Sequence, residues 1–159
     1  MEKFIENILE AQKIIYTADH LIYSTFPVVQ DKKILIQTLK ALSKASTKTI
    51  NAILQYEYIL KEIELKKSPK ENFKTFENNC APKYEISPED IKILKELFKL
   101  NNIQKNSGIT FKRKRKIVIL SDDLTTDILT YEKTKEFLNT SKEMLKKTKK
   151  QIINNNPQN

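Results

Sequence analysis

A single glycine, Gly108, serves all 159 residues, beside five prolines. Folds rich in tight turns need glycine wherever the backbone takes a positive φ, so this shortage argues against an all-β or α/β architecture and for helices. Lys, Leu, Ile and Glu supply that helical bias, and the length suits one domain with its own core. The expected unit is a single helical-bundle domain over residues 1–153, with the polar tail 154–159 disordered.

Periodicity gives the elements. Phe4, Ile8, Ala11, Ile15, Ala18 and Ile22 recur at steps of four and three, which predicts a helix over about 2–25, ended by Pro27. Leu35, Leu39, Leu42, Ile53, Leu60 and Ile63 form the seam of a longer helix over about 31–67. Its middle holds Ser43, Ala45, Ser46, Thr47 and Thr49, small and hydroxylated residues that admit a close neighbour or bend the helix. Residues 70–86 lose the pattern and read as a loop pinned by Phe73 and Phe76. Ser87-Pro88-Glu89-Asp90 opens a third helix with a hydroxyl cap, a proline at the first position and acids on the dipole. Ile91, Leu94, Leu97 and Phe98 face inward, and Asn101-Asn102 closes it.

Ile109-Thr110-Phe111 and Ile117-Val118-Ile119-Leu120 then alternate or run as strands do, around a charged tip, and predict a β-hairpin. After Ser121-Asp122-Asp123, Thr130 caps a last helix with Tyr131, Thr134, Phe137, Ser141, Leu145 and Ile152 inward. The fold class expected is mainly α: an antiparallel four-helix bundle with a small β-hairpin between helices 3 and 4. In order along the chain, Ala18-Asp19-His20-Leu21, Phe26-Pro27, Asp31-Lys32-Lys33 and Phe111-Lys112-Arg113-Lys114 resemble a group of small uncharacterised archaeal-type helical proteins, a resemblance that implies no activity.

A di-metal carboxylate bundle needs two Glu-x-x-His steps, and the one histidine, His20, follows Thr17 at that spacing. His20 shares a stripe with Lys13, Thr17 and Ser24 opposite the apolar seam, so a surface position is expected. Bundles of the HEPN type are similar in layout, but their nuclease motif is an arginine followed within four to six residues by a histidine, and no histidine follows Arg113 or Arg115. A non-catalytic HEPN-like bundle is the reading that layout leaves. One glycine excludes a glycine-rich phosphate loop. The lone Cys80 excludes a disulfide framework and suits a reducing, cytoplasmic compartment. Asp122, Asp123 and Asp127 have the chemistry for a hard cation, though capping explains them as well. Tyr16, Tyr23, Tyr56 and Tyr58 read as core or groove packing. No catalytic residue, cofactor, metal, small-molecule substrate or membrane span is expected.

Charge carries what remains. The net +9 combines 29 Lys and Arg with 20 Asp and Glu, and it is unevenly spread. Residues 1–31 hold two Lys against five acids, residues 32–76 ten Lys against four, and Lys112, Arg113, Lys114, Arg115 and Lys116 are consecutive cations. Both arginines lie in that run, and arginine is the cation suited to bidentate phosphate contacts. The run is therefore a candidate nucleic-acid-backbone site, without an aromatic platform for bases; the competing explanation is the wet face of a hairpin whose edge cations discourage pairing. Alternation puts Lys112, Lys114 and Lys116 on one side and Arg113 and Arg115 on the other unless they lie in the turn. The function expected is a non-enzymatic interaction protein with a protein partner or RNA.

Overall fold

The computed structural model describes residues 2–107, 109–113, 116–121 and 125–155. It is mainly helical with one small antiparallel sheet. The first helical run is α1 (Lys3–His20), a π-helical turn (Leu21–Thr25) and α2 (Phe26–Val29). All six apolar residues of the expected stripe, Phe4 to Ile22, are buried. Pro27 does not stop the run as expected. The π turn just before it widens the helix, the Phe26 N–H reaches back to the Leu21 carbonyl, and the proline ring enters where a regular turn would clash.

The long helix α3 (Lys32–Ile59) starts on the side chain of Asp31, which accepts from the Lys33 N–H at 2.9 Å. It stops short of the expected residue 67, so Leu60 is exposed, while Ile63 is buried beyond the helix end. Lys61 takes a left-handed φ of 61°, the Glu62 N–H bonds the Glu57 carbonyl at 3.0 Å and the Lys61 N–H bonds the Tyr58 carbonyl at 3.0 Å. That pair of bonds is the Schellman stop, made with lysine where glycine is usual. The same device recurs at Glu85, φ 58°, with Ile86 N–H to Ala81 at 2.9 Å and Glu85 N–H to Pro82 at 3.2 Å.

The stretch expected to be a loop is instead largely helical: α4 (Pro69–Thr75) and a second π turn (Phe76–Cys80). Ser68 caps it by accepting from the Glu71 N–H at 3.4 Å. Phe76 is buried and Phe73 packs against both Phe76 and Phe98, with ring centroids 5.7 and 6.1 Å apart. Helix α5 (Pro88–Ser107) runs past Asn101-Asn102, because Asn101 turns its amide to the Ser43 hydroxyl at 3.2 Å and Ile103 extends the packed stripe. Helix α6 (Tyr131–Asn154) is capped by Thr130 as expected, the Lys133 N–H donating to its hydroxyl at 2.9 Å.

Helices α1, α3, α5 and α6 pack around one core. The small residues of α3 admit α6, and the hydroxyls of Ser46 and Ser141 meet at 3.0 Å in the buried contact. The expected four-helix bundle with a hairpin is thus corrected in two places, by the added α4 segment and by a third strand. Strands β1 (Ile109–Arg113), β2 (Lys116–Leu120) and β3 (Thr126–Thr130) form an antiparallel sheet in the order β1-β2-β3. Of the tail expected to be disordered, Asn154 ends α6 and residues 156–159 lie outside the described residues. Among the described residues no helix is long and apolar enough to cross a membrane.

Candidate functional site

The basic run falls at one end of the sheet, where β1 ends at Arg113 and β2 begins at Lys116. Lys114 and Arg115 lie outside the described residues. Ile117, Ile119 and Leu129 are buried toward the helices, which fixes the inner face. Directly paired residues share a face and neighbours along a strand alternate. Lys112, paired with Ile117, is therefore on the inner side, whereas Arg113 and Lys116 are partners of each other on the outer side. By register Lys112 and Lys116 fall on opposite faces, because they belong to two paired strands and not to one continuous strand.

Lys112 leans over the edge of the sheet and its ammonium donates to the Gln30 carbonyl at 3.3 Å. In the opposite direction Lys32 donates to the Thr110 carbonyl at 3.3 Å. Gln30 ends α2 with a left-handed φ of 54°, and the chain passes from there through Asp31 into α3. The phenol of Tyr131 donates to the Ile22 carbonyl at 2.9 Å, its ring stacks on Phe26 at 4.9 Å, and the ammonium of Lys135 sits 4.5 Å from the ring centroid. Between sheet and helices this leaves a cleft of about 370 Å³, bordered by Phe26, Lys32, Lys112, Tyr131 and Glu132 and reached also by Lys116 at the sheet's end.

The outer face is different in kind. Phe111, Val118 and Ile128 are aligned across the three strands, and Phe111 and Ile128 remain 44% and 47% exposed. Two pairings along, in the next row on the same face, stand Arg113, Lys116 and Thr130, with both cations exposed. Among the described residues Arg113 and Lys116 enter no ion pair. Phe111 supplies the aromatic surface that the sequence reading did not find. Its place in the alternation Phe111-x-Arg113 was the available signal, and Ile128 lay hidden in Thr125-Thr126-Asp127-Ile128-Leu129-Thr130, a β-prone run masked by the preceding acids.

Other candidate residues are dispersed. His20 is exposed at the end of α1, as its polar stripe predicts. Asp127 faces inward on β3 beside Lys99, and Asp122 and Asp123 lie outside the described residues. Among the described residues no group of three or more His, Cys, Asp or Glu is placed to hold a metal ion. Tyr56 is buried against Phe4, ring centroids 5.2 Å apart, whereas Tyr16, Tyr23 and Tyr58 are exposed, Tyr16 bordering a surface groove with Asp19 and Lys142. Cys80 is fully buried, and desolvation together with the nearby Glu57 carboxylate pushes its thiol up to about 11. No protein-family model matches the chain, and no curated protein matches it.

Proposed function

We propose that this chain is a non-enzymatic binding protein that engages the backbone of a nucleic acid through the outer face of its sheet. The observation that carries the reading is the cross-strand pair Arg113 and Lys116, exposed together and free of carboxylate partners among the described residues. A cation already held by a protein carboxylate must break that pair to bind phosphate, and these two need not. Lys112 and Lys32, with their ammoniums on neutral carbonyls, add positive potential to the same end. Contacts of this kind position a backbone and carry no sequence code.

A protein partner is the second reading. Tyr58, Ile59 and Leu60, exposed by 55%, 53% and 45% where α3 ends, are the feature that favours it. A non-catalytic HEPN-like layout fits within either reading as an architectural likeness and adds no chemistry. Affinity capture with and without ribonuclease, in parallel with a variant carrying Arg113→Gln and Arg115→Gln, separates them. RNA recovered with the parent and lost with the variant supports the backbone reading; its absence from both argues for the protein partner.

A further inference from the structure

We infer that the outer face of the sheet takes single-stranded nucleic acid, with one base stacked on Phe111 and the adjoining phosphates held by Arg113 and Lys116. This rests on the backbone reading above and sharpens it from nucleic acid in general to unpaired strands.

The register provides the geometry. Phe111, Val118 and Ile128 make one continuous apolar row across β1, β2 and β3, and the cations occupy the next row on the same side. The helices pack on the other face, through Ile117, Ile119 and Leu129. A nearly half-exposed phenyl ring beside a guanidinium and an ammonium is the combination that single-strand binders use, a flat apolar surface for a base and charge for its backbone. Any base has a flat face to offer, so the contact tolerates sequence. In a duplex the bases are already stacked on one another, and Phe111 finds none to hold.

The dimensions argue against larger occupants. Three strands of five residues span about 10 Å by 15 Å, far below the roughly 800 Å² that each side of a stable protein interface buries. A second copy of this chain seated on so small a face brings Arg113 and Lys116 of both copies close together, a like-charge arrangement that opposes association.

The chain has no tryptophan, so Phe111→Trp installs a single tryptophan at the proposed stacking position, whose emission is excited selectively over that of the six tyrosines. Binding of a labelled 12-nucleotide RNA and of its blunt duplex is measured by anisotropy for the parent, Phe111→Ala and Phe111→Trp, with circular dichroism as the control for folding. The expected result is preference of the parent for the single strand, a loss of roughly 5- to 150-fold for that strand in Phe111→Ala with duplex binding unchanged, and retained binding with quenched tryptophan emission in Phe111→Trp. Equal binding of both forms, unaltered in Phe111→Ala, overturns the stacking inference and leaves the backbone reading standing. No binding of either form by the parent overturns both. Self-association of the parent that disappears in Phe111→Ala makes the face a contact between copies and also overturns the inference.

Discussion

Tyr84 donates its phenolic hydrogen to the carboxylate of Glu57 at 2.8 Å, and both residues are 2% exposed. Lys83 supplies the second bond to that carboxylate at 2.9 Å from a partly exposed position. Together they fasten the turn after the second π segment onto the last turn of α3. Hydrogen bonds to a buried charge are among the stronger ones, so Tyr84→Phe should cost about 1.5–3 kcal/mol in denaturant unfolding while leaving the helical spectrum intact. A loss below about 0.5 kcal/mol would mean that water replaces the phenol.

The same region sets an alkaline limit. Burial, with Glu57 beside them, raises the Cys80 thiol from 9.0 to about 11 and pushes Tyr84 well above its ordinary 10. In both cases the fold favours the neutral form. Stability is therefore fully present below the unfolded thiol value near 9 and falls as pH climbs through the window from about 9 to 11, more steeply once tyrosine begins to ionise in the unfolded chain. Denaturant midpoints measured from pH 7 to 10.5 should be flat and then drop, and Cys80→Ala should remove the earlier part of the drop. A rise in stability across that window contradicts the assignment.

Among the described residues two helical ends and one turn close on left-handed residues that are not glycine, Gln30, Lys61 and Glu85. A side chain there costs up to about 1–2 kcal/mol, partly offset by the flexibility glycine adds to the unfolded state. Lys61→Gly should raise stability by about 0.5–1 kcal/mol, and Lys61→Ala, which keeps a Cβ, should not. Thermal unfolding of the two variants distinguishes them.

These endings also explain what could be read in the sequence. The buried stripes of α1 and α6 and the Ser87 and Thr130 caps were legible, because spacing and capping chemistry are local. The end of α3 was not, since lysine at a left-handed position gives no stop signal. Ser68-Pro69-Lys70-Glu71 repeats the cap logic of Ser87-Pro88-Glu89-Asp90, yet the charged residues around Phe73 hid the helix it opens. The five-cation run was visible as a run, but which of its members share a face depends on where β1 stops and β2 starts, and that is a property of strand pairing.

The most direct test of the account is the salt dependence of RNA binding with Arg113→Gln and Lys116→Gln combined. Both side chains are exposed on the sheet's outer face, so the melting temperature should not change. Each phosphate contact on a single strand adds about 0.7 to the slope of log affinity against log salt, and the account predicts a slope smaller by about 1.4 in the variant, with affinity reduced alike for unrelated sequences. An unchanged slope in a folded variant, or a parent protein that binds no RNA at physiological salt, contradicts it.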